Sequence, residues 1–318
     1  MSKYRHDLPQ LSGNRLLTDG GLETTLVFHD AMELPYFAAF TLMEEESGRD
    51  RLKRYFTRYI EVARQHGVGF VLDTPTWRAN PDWAAKLGYD ADRLAELNRR
   101  CVAFLVALRW QLETSRTPIV INGVIGPRGD GYQPDRLMST IEAEAYHAAQ
   151  VKCFAGTETD MISAITMNYA EEAIGIARAA GKADIPVAIS FTVETDGCLP
   201  TGQTLRDAIA MVDSETGKAP AYYMINCAHP THFQGVLSDK GDWLDRIRGV
   251  RANASKRSHA ELDASTDLDD GNPQELGSQY RNLLQILDKA VVLGGCCGTD
   301  HRHIEQIAGH CLAETAAA

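Results

Sequence analysis

The chain is 318 residues long, with 44% hydrophobic and 24% charged residues and a net charge of −11. This is the balance of a soluble globular protein with enough apolar material for a sizeable core. The acidic surplus excludes nucleic acid, which needs a basic face to neutralise phosphates, and has the wrong sign for an anionic membrane. Residues 1–10 are polar and mixed in charge, so no signal peptide is expected, and the longest apolar stretch, 101–108, falls far short of the ~20 residues of a membrane span. Seven cysteines, an odd number with two adjacent, are the usage of a reducing cytoplasm rather than of a disulfide framework.

Taken in order, apolar runs that read as strands alternate with amphipathic segments that read as helices. The first run, 16–19, ends at Asp19-Gly20-Gly21. Leu52, Tyr55, Phe56, Tyr59, Val62 and Ala63 follow at helical spacing and close on Gly67 as a C-cap, ahead of the second run at 70–74. The third run, 119–124, leads into Gly126-Pro127-Arg128-Gly129, and Ser139 with Glu142 makes a capping box for the next helix. Runs at 161–166, 187–193, 222–226 and 249–252 come next. Leu283, Leu284 and Leu287 mark a helix before the last run, 291–294. Eight such units in this length predict a single (β/α)8 TIM barrel over residues 1–318, with the active site at the C-terminal ends of the strands. A doubly wound sheet is the alternative, but the turn after the first run lacks its dinucleotide fingerprint. The alanine-rich tail, 316–318, reads as frayed.

The eighth run passes straight into Gly294-Gly295-Cys296-Cys297-Gly298, and Thr299 reads as the N-cap of a final helix carrying Ile304, Ile307 and Ala308. Adjacent cysteines seldom bond to each other, because the ring they would close is strained. Two thiols side by side, with glycines clearing the space, suit a soft metal better. The best third thiolate is Cys227, which ends the run 222–226. In a barrel these strand ends share one rim, together with Asp19, Glu23, Trp77, Glu194, Asn226 and Asn253. Cys101, Cys153 and Cys311 fall on helical patterns and read as core; Cys198 lies in a loop; His301 and His303 read as solvated. A vicinal pair has an alternative use, as a reversible disulfide in a redox switch. A metal-dependent hydrolase would want histidine and carboxylate ligands, and no His-x-His follows the first run.

The stretch Leu17-Thr18-Asp19-Gly20-Gly21-Leu22-Glu23-Thr24 resembles the opening of the zinc-dependent homocysteine S-methyltransferase family. So do Gly123-Val124-Ile125-Gly126-Pro127, Ile225-Asn226-Cys227 and Gly294-Gly295-Cys296-Cys297-Gly298, in the same order over nearly the whole chain. The resemblance implies the (β/α)8 barrel, one Zn2+ held by Cys227, Cys296 and Cys297, and Asp19 as partner of the substrate amino group. The implied reaction moves a methyl group from a small cationic donor (S-methylmethionine, S-adenosylmethionine or a betaine) to a zinc-bound thiol, homocysteine, giving methionine. Zinc with three protein thiolates keeps a fourth position open, where a substrate thiol loses its proton. Four thiolates around zinc carry a net charge of about −2, which keeps the sulfur nucleophilic and attracts a cation. Trp77, Tyr36 or Tyr132 would offer such a cation a π-face. Asn226 and Asn253 would orient substrate or support the ligands.

Two positions depart from the family pattern. Ile165 stands where members carry a substrate-binding glutamate at the end of the fourth strand, and Trp77 where relatives often have tyrosine. Glu194, after the fifth strand, is the candidate replacement carboxylate. The departures leave the metal chemistry intact and open an alternative, demethylation of a sulfonium or betaine with another acceptor thiol. A single barrel leaves no room for separate folate- or cobalamin-binding modules, and it is compatible with a homo-oligomer.

Overall fold

Eight short parallel strands close on themselves. In a computed structural model, which describes residues 2–134 and 136–312, the strands are β1 (Leu16–Leu17), β2 (Gly69–Asp73), β3 (Ile119–Ile125), β4 (Met161–Met167), β5 (Val187–Phe191), β6 (Tyr222–Asn226), β7 (Ile247–Ala252) and β8 (Val292–Gly295). They pair in sequence order, and β8 returns to β1 with Val292 opposite Leu16. This is the barrel and not the doubly wound sheet. Closure leaves no unpaired edge, and helices such as Glu46–His66, Ala91–Leu112, Thr140–Ala155 and Ala170–Lys182 cover the outside. Each predicted strand is present, displaced by at most two residues at either end.

Successive strand residues face opposite sides of the wall, which sorts the apolar residues into two cores. Leu17, Leu72, Ile121, Ile162, Ile189, Ile225 and Leu293 pack outward against the helices. Leu16, Val71, Val120, Met161, Ala188, Tyr222 and Val292 form a separate cluster inside the barrel. Burying a side chain of this size is worth about 1.5–3 kcal/mol. Tyr4 and Leu8 join the inner cluster from the N-terminal side of the strands. The Tyr4 amide donates to Asp160 at 2.7 Å, and Arg109 pairs with the same carboxylate at 2.6 Å. Towards the C-terminal ends the interior positions turn polar: Asp73, Asn122, Ser163, Ser190, Asn226 and Arg251 are all buried there.

Local signals behave largely as the sequence predicts. Gly67 takes φ 63° and its N–H reaches the carbonyls of Ala63 and Arg64, ending its helix. The Ser139–Glu142 capping box is complete. The final N-cap moves by one residue. Asp300 accepts the Arg302 N–H at 2.9 Å ahead of the helix His301–Leu312. The Thr299 hydroxyl instead donates to the Cys296 carbonyl at 2.7 Å and closes the cysteine turn. His303 is buried rather than solvated, because Asp300 and the Asp270 carbonyl hold both its ring nitrogens, at 3.1 and 2.8 Å. Cys101 and Cys311 are buried on helices, as core residues should be. No helix among the described residues is long and apolar enough to cross a membrane. The tail at 316–318 lies outside the described residues.

Candidate metal centre

The ends of β6 and β8 flank β7 and bring three sulfurs together. Cys227 is buried, Cys296 half-buried and Cys297 exposed. Their sulfurs all lie within 4.8 Å of one another, with Cys227 and Cys297 3.7 Å apart. Sulfurs around a tetrahedral zinc, at a bond length of about 2.3 Å, would be separated by about 3.8 Å. The spacing and the all-sulfur donor set therefore fit a soft cation. This is the one group of three potential ligands so close together among the described residues. Its protons are unequally shared. Hydrogen bonds from Cys227 and Cys297, aided by Arg251, hold the Cys296 thiol well below its usual range. The bond to Cys296 and burial push Cys227 up, and the bonds to Cys227 and Cys296 together with burial push Cys297 up. All three must be deprotonated to act as thiolates.

Cys227 stands at φ 55°, a left-handed conformation that a β-carbon disfavours. Its carbonyl is held by three donors: Asn253 Nδ2 at 3.0 Å, His259 Nε2 at 2.6 Å and the Thr192 hydroxyl at 3.4 Å. His259 turns its other nitrogen to Glu194 at 3.2 Å. The vicinal pair is held differently. A β-carbon on Gly294 would collide with the Thr18 hydroxyl, and one on Gly295 with the Thr299 hydroxyl. Only bare backbone lets this turn pack so close to β1. Asn226, fully buried, accepts from the Ser190 hydroxyl at 2.6 Å and the Thr166 N–H at 3.0 Å. Its amide nitrogen lies 3.9 Å from Cys296 Sγ.

Above the sulfurs opens a cavity of about 100 Å³ whose lining includes Asp19, Glu23, Trp77, Tyr132, Ile165 and Arg251. The Tyr132 hydroxyl donates to Cys227 Sγ at 3.3 Å and lies 3.5 Å from Cys297 Sγ, while its ring stacks on His259 at 4.0 Å. The Trp77 indole donates to the Ile165 carbonyl at 3.2 Å, and the Arg78 guanidinium lies 4.1 Å from the Trp77 ring. Tyr36, the other aromatic proposed from sequence, is exposed and packs against Trp83, outside the cavity lining.

An ionic chain closes one wall. Arg251 pairs with Asp19 at 2.5 Å, pairs with Asp73, and donates from Nε to the Gly295 carbonyl at 3.2 Å. The Tyr55 hydroxyl donates to Asp19 at 3.1 Å and Asn122 to Asp73 at 2.7 Å. Burial pushes the Asp19 carboxyl up to about 7, against the pull of Arg251. Burial also pushes Glu23 up to about 7, with the Cys296 sulfur adding to the effect.

Of the residues singled out from sequence, Cys227, Cys296, Cys297, Asp19 and Trp77 meet at the cavity. Asn226 and Asn253 lie behind the sulfurs, and Glu194 is drawn to His259 instead of into the lining. Arg251, Asp73 and His259 were not singled out. A charged residue inside an otherwise apolar strand was the available signal for the first two, since it must face an interior partner. His259 opens the short helix His259–Asp263 behind the Ser258–Glu261 capping box, a helix too short for periodicity to mark its side chains.

Comparison with known proteins bears on the whole barrel. The homocysteine methyltransferase MmuM from Escherichia coli, in its oxidised form, superposes with a TM-score of 0.72 at 18% identity, over 93% of this chain and 95% of that one. Its metallated form gives 0.69 at 18% identity, over 95% and 98%. At this identity the likeness establishes the shared fold. A family profile described as homocysteine S-methyltransferase matches residues 16–311, from β1 into the final helix, and so takes in every strand end that carries a sulfur. By that match the chain belongs to the homocysteine S-methyltransferase family.

Proposed function

We propose that this protein is a zinc-dependent S-methyltransferase that moves a methyl group from a small cationic donor to a thiol, with homocysteine as acceptor and methionine as product. S-methylmethionine, S-adenosylmethionine or a betaine would serve as donor. The observation that carries the reading is the cluster of three sulfurs, within 4.8 Å of one another, on the floor of a cavity in a chain of this family. Cys227, Cys296 and Cys297 would hold the zinc, which when bound supplies a Lewis acid that keeps an acceptor sulfur as thiolate near neutral pH.

The chain's own residues set the stage for the transfer. Asn253, His259 and Thr192 fix the Cys227 backbone, and Asn226 backs Cys296. Arg251 balances Asp19 and Asp73, so the wall nearest the sulfurs is not left with two bare carboxylates. Asp19 keeps lone pairs beyond its bonds to Arg251 and Tyr55, and these are proposed to take the acceptor's amino group. Trp77, Val124 and Ile165 give the cavity an apolar side that limits water around the reacting sulfur. A sulfur–carbon bond forms as the bond from the methyl carbon to the donor heteroatom breaks, and the electron pair leaves with the now neutral donor. No proton moves in that step, so no general base is required.

The first test is zinc content per chain of the reduced protein beside Cys296→Ala. The expected result is about one zinc in the parent and little in the variant. Methyl transfer from one of the cationic donors to homocysteine should follow. Zinc-free protein, with Cys296 and Cys297 oxidised to each other, would sink the reading and promote a redox switch. Ile165 in the cavity lining favours one further reading, demethylation of a sulfonium or betaine with a different thiol. Competition among thiols at fixed donor separates the two.

A further inference from the structure

Three carboxylates face the cavity, and they are not equivalent. Asp19 and Asp73 share Arg251, and each takes a second donor, Tyr55 at 3.1 Å and Asn122 at 2.7 Å. Each therefore has a cation and a neutral donor bonded to it, although the one guanidinium offsets only one of the two charges. Glu23, on the turn after β1, has neither: among the described residues no other side chain hydrogen-bonds to it or forms an ion pair with it. Arg78 acts on Glu23 through its field without bonding it: its Nη1 donates to the Gly129 carbonyl at 2.9 Å, its Nη2 lies 3.8 Å from Asp130, and its Nε has no partner among the described residues. Its guanidinium also stacks on the Trp77 and Trp83 rings, 4.1 Å from each.

A half-buried carboxylate beside sulfurs, with no cation hydrogen-bonded to it, gains when something positive completes it. Arg251, the one arginine or lysine in the lining, already bonds Asp19, Asp73 and the Gly295 carbonyl. Resting on the reading of this cavity as the substrate site, we propose that Glu23 is a specificity-determining residue. Its carboxylate takes the positive group of a small organic cation, an ammonium or an onium centre, that lies over the sulfurs. A neutral molecule of the same shape gains nothing from it.

The acceptor's ammonium and the donor's onium share this chemistry, so the test has two arms. Reduced, zinc-loaded protein and its Glu23→Gln and Glu23→Asp variants are titrated calorimetrically, without turnover. One arm compares cysteamine with mercaptoethanol, which differ in an ammonium against a hydroxyl. The other compares choline with its uncharged carbon isostere, dimethylbutanol. Glu23→Gln should weaken the cationic member of at least one pair by about tenfold or more, leaving the neutral member unchanged. The arm that responds identifies which partner Glu23 reads.

Equal losses for the cationic and neutral members, or no loss in either arm, would overturn the assignment. Should Glu23→Gln lose its zinc or its fold, the charge-preserving Glu23→Asp decides: it must keep the preference for the cation, and losing it overturns the proposal. Because binding is read directly, an absence of methyl transfer with every donor would sink the methyltransferase reading and leave this result standing. Unchanged affinities in a variant that still transfers methyl groups would sink the Glu23 assignment alone.

Discussion

Cys227 and the vicinal pair Cys296–Cys297 arrive at the same point by opposite means. Cys227 is held by addition: a disfavoured backbone conformation whose carbonyl collects three donors. The vicinal pair is held by omission, since glycines at 294 and 295 leave room for the hydroxyls of Thr18 and Thr299. Several modest bonds make the first arrangement adjustable, because any one can weaken while the others remain. Steric clearance has no such gradation. Arg251 stands between them, its carbonyl accepting the Cys227 N–H at 3.1 Å and its side chain reaching the Gly295 carbonyl.

Three substitutions put this contrast to the test. The largest effect is expected from Arg251→Met, which strands Asp19 and Asp73 as buried, unpaired carboxylates and releases the Gly295 side while sparing the backbone bond to Cys227. It should cost about 3–5 kcal/mol and lower the melting temperature by on the order of 10 °C. A variant as stable as the parent would show that the ionic chain does not hold the vicinal pair. Next is Gly295→Ala, whose β-carbon meets Thr299. Overpacking of this kind costs about 1–3 kcal/mol, and adding Thr299→Ala should recover part of the loss. Strict additivity in a double-mutant cycle would contradict the steric account.

The smallest effect should come from Asn253→Ala on the Cys227 side. One donor of three is lost, worth about 1 kcal/mol at most. The stability loss is softened because Asn253 Oδ1 is itself buried without a partner and disappears with the side chain. Zinc affinity, by contrast, should fall by about 10- to 100-fold, as for other groups that orient a ligand from behind. Chelator competition measures it. Unchanged affinity would mean that His259 and Thr192 suffice to hold the carbonyl.

Much of this arrangement was legible in the sequence, for physical reasons. Each of the two sulfur-bearing segments is an apolar run that stops at a cysteine, and a run that stops marks a strand end. Eight such runs separated by helical patterns leave few folds to choose from. What could not be read was the direction of side chains within a strand. Arg251 lies in a run of the right composition, and only closure of the barrel tells that it points inward at Asp19 and Asp73. Loops posed the second difficulty. Tyr132, in the loop after β3, stacks on His259 at the head of the short helix His259–Asp263, a contact that no local pattern encodes. Glu194 follows β5, where a rim carboxylate is expected, but it pairs with His259 at 3.2 Å and lies outside the cavity lining. Thr299 and Asp300 are both good capping residues, and the cysteine turn claims the first, leaving the second to the helix.

The plug formed by Tyr4 and Leu8 at the far end of the barrel has a kinetic meaning. With that end filled by apolar side chains, the cavity over the sulfurs opens towards the C-terminal ends of the strands. For a reaction between two partners, whichever reacts at the floor must enter first and leave last, and the other stands behind it as a stopper. An ordered arrival is then the expected outcome of initial-rate kinetics with both partners varied. Too much of the second partner jams the doorway of the empty protein.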